Sequence, residues 1–339
     1  MVRVGEAAVA ELDLERYRRE LTGFCYRMLG SGFEAEDAVQ EAMIRAWRAA
    51  AGFEGRASVR SWLYRIATNV CIDMERQVQR RARPMDLGPA SPPDESLLGP
   101  LLPKERWVTP VAGVLLDPAE LAVARDSVRL AFVAALQHLP PRQRVALILC
   151  DVLRWPAAEA AGLLETTVAS VNSALQRARA TLAALPADAH PGPLDDETGD
   201  LLERYVDAFE RYDMAALRAL LHDDAVQTMP PFAMWLRGPE AITTFMEQPG
   251  PSACRGSRLF ATSANGCPAF AQYKPDPDGG YAPWAIQVLE IVDGRIAWMS
   301  FFLSPLDPHR LFRSFGFAPA STPTCDPIAD SGCRRPSHP

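Results

Sequence analysis

The chain has no run of about 18 apolar residues, the length that would span a bilayer, and its first residues lack the basic-then-apolar order of a secretory leader. Neither a transmembrane nor an exported protein is expected, so the cytoplasm is the predicted compartment, with no membrane partner. Nowhere do two cysteines stand as C-x-x-C. The seven present (25, 71, 150, 254, 267, 325 and 333) are odd in number and scattered. Reduced, mostly buried thiols are therefore expected instead of a disulfide framework or a zinc site. Cys325 and Cys333 flank a short loop late in the chain and could bridge or bind a metal, a reading the overall pattern disfavours. No metal and no cofactor are expected. The sequence also contains no internal repeat.

What is present fits a soluble protein of several domains. Of 339 residues, 48% are hydrophobic and 23% charged, and this length exceeds what one core usually organises. Residues 11–83 read as helices with one loop signal at "AGFEGRAS". Residues 84–117 form a Pro- and Gly-rich linker, too apolar in its second half for a bare spacer. Residues 118–186 return to Ala-, Leu- and Arg-rich helix, and 187–197 form a second linker. From 198 to 318, two amphipathic helical segments precede the strand-like runs "AVQTMPP", "PAFAQYK", "APWAIQVLEIV" and "RIAWMSFFL". That order predicts an α+β unit with an antiparallel set of strands. The tail 319–339, rich in Pro, Ser and Gly, is expected to be disordered. Charge follows the same division: residues 195–339 hold 12 Lys or Arg against 19 Asp or Glu, which accounts for the whole formal net charge of −7. The helical parts sum to neutrality, so cations can be concentrated there locally.

One such concentration ends the segment "SWLYRIATNVCIDMERQVQRRARP" (61–84), where Arg76, Arg80, Arg81 and Arg83 fall within eight residues. At helical spacing Leu63, Ala67, Val70, Met74 and Val78 share one face, and Arg65, Asn69, Arg76, Arg80 and Arg83 the opposite one. An apolar back with an arginine stripe suits a nucleic-acid backbone, because each arginine that meets a phosphate releases counterions. Trp62 and Tyr64 at the start of the helix could stack on an unpaired base. Spacing alone equally permits a solvated basic face with the tryptophan in the core.

The wording of "FCYRMLGSGFEAEDAVQEAMIRAWR" (24–48) followed by "SWLYRIATNVCID" (61–73) resembles region 2 of ECF-type RNA polymerase sigma factors. The resemblance implies that the acidic helix with Glu34, Glu36, Asp37, Gln40 and Glu41 docks on the β′ clamp helices of core RNA polymerase. It also implies that the next helix opens the −10 element, with Phe53, Arg56, Ser58, Arg60, Trp62, Arg65, Asn69, Arg76, Arg80 and Arg83 contacting promoter DNA. Base extrusion needs such a pocket wall beside cations for the strand backbone.

Residues 139–185 read as four helical pieces ending in a helix-turn-helix. Pro156 suits a first helical turn, Ala157–Leu164 is a short scaffold helix, "ETT" is the turn with Thr166 or Thr167 as N-cap, and Val168–Leu182 is the second helix. On pattern alone, two packed Ala-rich helices would look the same. The text resembles region 4 of the same family, which reads the −35 element and contacts the β flap. The residues so implicated are Arg142, Thr167, Ser170, Asn172, Ser173, Gln176, Arg177 and Arg179. Glu165 replaces the usual turn glycine, and Asn172 and Ala174 stand where many relatives carry Lys and Arg. Modest −35 affinity, dependent on prior docking to polymerase, is expected. The resemblance also implies a first linker that threads toward the RNA exit path.

The segment "LLERYVDAFERYDMAALRALLHDDAVQTMPPFAMWLRGPEAITTFM" resembles the opening of SnoaL-like domains, which curve a sheet around an apolar cavity. The lining this implies is Tyr205, Phe209, Met229, Trp235, Phe270, Tyr273, Trp284 and Trp298, a place for a small-molecule ligand. "HDD" (222–224) reads as an exposed connection or cap after the second helix. No inward acid/base pair can be placed, so no catalytic residue and no enzyme is expected. The expected architecture is multidomain: two all-α sigma domains (a region 2 helical bundle and a region 4 helix-turn-helix) plus a C-terminal α+β SnoaL-like cone. The expected function is promoter recognition and melting with core polymerase, modulated by the cone. A ligand-sensing helix-turn-helix regulator and a fused cyclase or isomerase are the rival readings.

Overall fold

The computed structural model describes residues 13–53, 55, 57–75, 80–185, 196–303 and 308–317. Arg56, Arg76, Cys325, Cys333, most of the second linker and the tail lie outside the described residues. The chain divides into two units, residues 1–82 with 104–188, and residues 83–103 with 189–339.

In the first unit, α1 (Arg18–Leu29), α2 (Gly32–Ala49) and α3 (Val59–Glu75) each bury one stripe. Leu21, Phe24 and Met28 of α1 and Leu63, Tyr64, Ala67 and Val70 of α3 are buried, with Phe24 edge-on to Tyr64 at 5.0 Å, while α2 contributes buried Ala35, Ala38, Ala42 and Ala46, small enough for close helix approach. Gly30 ends α1 at φ 70°, a left-handed conformation that suits glycine, and Ser31 caps α2 by accepting from the Glu34 amide.

The second half of the first linker packs against this bundle. Its base is closed by Ala82 N donating to Arg106 O (2.8 Å) and Val108 N donating to Ala82 O (3.1 Å). Trp107 is buried, Tyr26 Oη donates to Thr109 O (2.9 Å), and Thr109 N donates to Gly30 O (3.0 Å). A Cβ on Gly32 would lie 2.2 Å from the Pro110 carbonyl oxygen, so glycine is required there by contact.

The remaining helices of this unit are α4 (Pro118–Ala124), α5 (Leu130–Leu136), α6 (Pro141–Leu147) continued by a π turn over 148–152, α7 (Ala157–Leu163) and α8 (Val168–Ala183). Pro156 serves as the N-cap of α7, one position before the first turn expected for it.

The second unit opens with α9 (Asp196–Arg211) and α10 (Met214–Leu220). It continues through β1 (Leu221–Thr228), β2 (Trp235–Arg237), α11 (Pro239–Met246), the one-turn α12 (Pro249–Ser252), β3 (Arg258–Ala264), β4 (Cys267–Pro275), β5 (Tyr281–Val292), β6 (Arg295–Leu303) and α13 (Pro308–Ser314). The strand order is β2-β1-β6-β5-β4-β3. The expectation of a wholly antiparallel sheet is corrected at one place: β1 and β6 pair in parallel, being joined by a long excursion through helices and four strands. Strands β2 and β3 were not foreseen. Nor is "HDD" a loop, because α10 runs directly into β1 and places His222, Asp223 and Asp224 on the strand.

One face of the sheet and helices α9 to α11 enclose the core around Tyr205, Phe209, Phe245, Phe270, Leu289 and Met299. Tyr273 lies on the other face, edge-on to Phe312 of α13 at 4.9 Å between ring centroids.

Candidate functional site

Along α3, Arg65 and Asn69 are exposed one turn apart, opposite the buried Leu63, Ala67 and Val70. At its start Phe53, from the preceding loop, packs against Trp62 of α3 with ring centroids 4.9 Å apart and planes tilted by 41°, both half-exposed, while the Ser58 hydroxyl caps the helix by accepting from Ser61 N (3.0 Å). Tyr64, read as a stacking candidate, is fully buried, and its hydroxyl donates to Glu20 (2.8 Å). Burial first, then the Glu20 carboxylate, pushes its pKa well up.

The arginines of this segment divide by role. Arg60 is held by Glu20 and lies over the Tyr64 and Trp155 rings. Arg80 is exposed and meets His138. Arg81 is a buried strut that donates to Leu29 O (2.8 Å), Trp107 O (3.1 Å) and the Glu34 carboxylate. Arg83 meets Asp86. Its partnership with Arg81 turns Glu34 inward, so the polar face that α2 presents includes Glu36, Asp37, Gln40 and Glu41, the last paired with Arg45 at 2.7 Å. Beside them Ile44 and Trp47 are 37% and 52% exposed. Sequence reading missed these two, although an apolar pair outside the buried stripe of α2 is itself a signal.

In the helix-turn-helix, Thr167 caps α8 by accepting from Ser170 N (3.1 Å). Glu165, where a glycine was expected, adopts φ 51°, a conformation costing a non-glycine residue about 1 kcal/mol. Ser170, Asn172, Gln176, Arg177 and Arg179 are exposed and Ser173 half-buried. Arg177 donates to Ser173 Oγ (2.6 Å), and Arg179 forms a two-point pair with Asp151 at 2.8 and 2.7 Å.

These two sets of residues converge. Arg65, Thr68 and Asn69 of α3 line one cavity of about 190 Å³ with Arg142, Glu165, Thr166 and Ser170. Around it, Tyr64 and Trp155 pack at 4.8 Å, Ser61 donates to Glu159 (2.7 Å), and Arg65 reaches Glu165 (3.4 Å). Two buried pairs tie the helices more firmly: Arg144 of α6 with Glu75 of α3, and Arg27 of α1 with Glu120 of α4. Burial raises the Glu75 and Glu120 carboxyls and lowers Arg144, against the opposing pull of each partner.

The interior of the second unit carries a chain of buried polar groups that sequence reading missed. Tyr205 Oη donates to Gln287 Oε1 (2.7 Å), Gln287 Nε2 to Gln272 Oε1 (2.9 Å), and Gln272 Nε2 to Ser257 Oγ (3.1 Å). Burial pushes the Tyr205 hydroxyl far up. Gln227 is buried too, with only a 4.0 Å contact from its amide nitrogen to Met246 Sδ, and its Oε1 lacks a partner.

Of the expected cavity lining, Tyr205, Phe209 and Phe270 lie in this core with Met229 packed against it. Trp235, Tyr273 and Trp298 belong to the other face, as their strand registers with Thr228, Phe312-bearing packing and Glu290 require. Trp284 stacks under Lys274. Among the described residues no cluster of His, Cys, Asp or Glu could hold a metal, and no helix is long and apolar enough to cross a membrane.

Family descriptions match three stretches: Sigma-70 region 2 over residues 14–81, Sigma-70 region 4 over 129–182, and the SnoaL-like domain over 202–299. The ECF RNA polymerase sigma factor SigG of Mycobacterium tuberculosis is 43% identical over 312 residues, covering 89% of this chain and 82% of its own length. SigJ of the same organism is 28% identical over 296 residues, covering 84% and 88%. The crystal structure of Mycobacterium tuberculosis SigJ shares the fold, with a TM-score of 0.55 at 24% identity over 88% of this chain and 97% of that one. The chain belongs to the ECF RNA polymerase sigma factors, and carries a SnoaL-like domain behind regions 2 and 4.

Proposed function

We propose that the chain docks on core RNA polymerase in the cytoplasm through α2, melts the −10 element with α3 and its preceding loop, and reads the −35 element with α8. Acidic Asp37 and Glu41 with the polar Gln40, beside exposed Ile44 and Trp47, suit a protein surface, since apolar anchors with a charged rim are what such interfaces use. The observation that carries the DNA assignment is α3: Arg65 and Asn69 stand exposed, and the half-exposed Phe53–Trp62 pair lies at the start of the same helix, whose other face is core. A flipped base takes an aromatic wall and a two-way hydrogen bonder, and the strand backbone takes the cations.

In the free chain these residues share a cavity with Arg142 and Ser170 of region 4. Regions 2 and 4 must therefore separate before two promoter elements are read at once, and polymerase docking drives that step. The SnoaL-like unit modulates initiation by binding, with no catalytic step.

Run-off transcription with core polymerase and the full chain tests the reading. Asn69→Ala with Arg65→Ala should leave polymerase binding intact, reduce open-complex formation and flatten its salt dependence. Loss of polymerase binding instead would reassign α3 to protein contact.

A further inference from the structure

The first half of the linker is fastened to the SnoaL-like unit along its length. At the near end the Trp235 indole Nε1 donates to Gly88 O (2.9 Å) and Ser91 N donates to Trp235 O (2.8 Å). In the middle Gln248 is used twice, its Nε2 donating to Pro93 O and its Oε1 accepting from Glu95 N (2.6 Å). The Glu95 carboxylate in turn accepts from Gly250 N (2.6 Å). At the far end Leu102 N donates to Pro231 O (3.0 Å), and Leu98 packs on the core of the unit. Pro89, Pro92, Pro93, Pro100 and Pro103 preset much of this backbone, so little conformational freedom is lost on fastening. Leu87, Leu97 and Leu101 stay 39%, 49% and 44% exposed.

We propose that the SnoaL-like unit is a reversible holder of residues 88–102 of its own chain, and that binding of core RNA polymerase strips this segment off. The proposal deepens the modulatory role given above and rests on the sigma-factor reading. The occupant is a Pro-rich segment whose amides and carbonyls are matched to Trp235, Gln248 and Pro231, and whose Glu95 carboxylate takes the Gly250 amide. Those same backbone groups cannot serve the SnoaL-like unit and a polymerase channel together, so holding and threading exclude each other. Three outward leucines give a polymerase apolar side chains to grip before the polar contacts let go.

The test follows one amide that the linker satisfies without being part of the linker, Gly250 N. Hydrogen exchange is measured on the full chain, free and bound to core polymerase, alongside run-off transcription at limiting chain. The companion variant is Trp235→Phe with Gln248→Ala. The proposal expects the peptide holding Gly250 to exchange at least about 25-fold faster in the bound form than in the free one, since full detachment removes every contact the double variant weakens. In the free chain the double variant should speed that exchange by about 25-fold, two or more lost hydrogen bonds at roughly fivefold each. It should also yield more transcript. Transcription with the Gly250 rate unchanged on binding overturns the stripping step while leaving the sigma-factor reading intact. Absence of transcript from every form overturns that reading and the stripping together. A free-chain rate indifferent to the double variant overturns the holder itself.

Discussion

Replacing Arg144 by alanine removes one half of the buried pair that ties region 4 to region 2. The guanidinium also donates to the carbonyls of Met28 and Leu139 (3.0 Å to the latter) and to Gln137 Oε1 (3.2 Å). Deleting one partner of such a pair strands the other charge and costs about 3–5 kcal/mol. At 1.4 kcal/mol per decade, that is a rise of about two to three and a half orders of magnitude in opening. Because the chain has more than one cooperative unit, a single melting temperature would blur the effect. Native-state hydrogen exchange of amides in α3 and α6 reads it locally. The geometry adds a control: Glu75 Oε2 and Arg144 Nε have no hydrogen-bond partner, so the pair is incompletely satisfied. Arg144→Met with Glu75→Leu should therefore recover at least half of the loss, since apolar replacement of a buried pair is close to neutral. A change under tenfold in the single variant, or an equal loss in both, would refute the account of this pair as the tie between the regions.

Other expectations follow from single contacts. Gly32→Ala drives a Cβ into the Pro110 carbonyl; a loss of about 2–3 kcal/mol is expected, read as faster exchange at Thr109 and Val111. Glu165→Gly relieves the left-handed backbone and should raise the thermal midpoint of region 4 by an amount equivalent to about 0.5–1 kcal/mol, whereas Glu165→Val should lower it. In the SnoaL-like unit, Tyr205→Phe leaves Gln287 Oε1 short of its donor and should cost about 1–3 kcal/mol in urea unfolding. Gln227→Met, which removes an unpartnered oxygen, should be neutral or stabilising. Burial holds the Glu120 carboxyl above its ordinary 4.5, so the folded chain binds that proton more tightly than the unfolded one. Its contribution is complete below about 4.5 and is lost as pH rises through the raised value. Unfolding of wild type and Glu120→Gln compared across this range should shift steadily in favour of the glutamine variant as pH rises, and a pH-independent difference would contradict this.

The helices of regions 2 and 4 were legible because their buried stripes recur at the period of the helix. Arg65 and Asn69 fell on the expected face for that reason. Arg80, put outward by the same spacing, is exposed, but the buried role of Arg81 had no signal in the sequence: it comes from tertiary contacts with Leu29, Trp107 and Glu34.

In the SnoaL-like unit the pleat held information that aromatic identity overrode. Phe270 and Tyr273 are three apart and cannot share a face of an unbroken strand, whereas Gln272 is two from Phe270 and had to point inward with it. Register shifts between Gln272 and Tyr273 and between Glu290 and Ile291 add a displacement that no sequence pattern announces. The linker was misjudged for a different reason. Its prolines argue correctly against helix, yet nothing in them says which surface its amides satisfy.

The closure of the linker's base has a consequence for how this architecture can vary. Ala82 is hydrogen-bonded to Arg106 and Val108, so residues 83–105 form an excursion whose two ends are already joined within the helical unit. Closing a loop costs only about 0.6 kcal/mol more for each doubling of its length. Insertions or deletions between Arg83 and Pro103 would thus be nearly free for regions 2 and 4, and would be felt only by the unit that holds them. Length in this segment can drift under the demands of the C-terminal domain alone, which makes it the place where a promoter-binding machine could acquire or lose an appendage without refolding its own core.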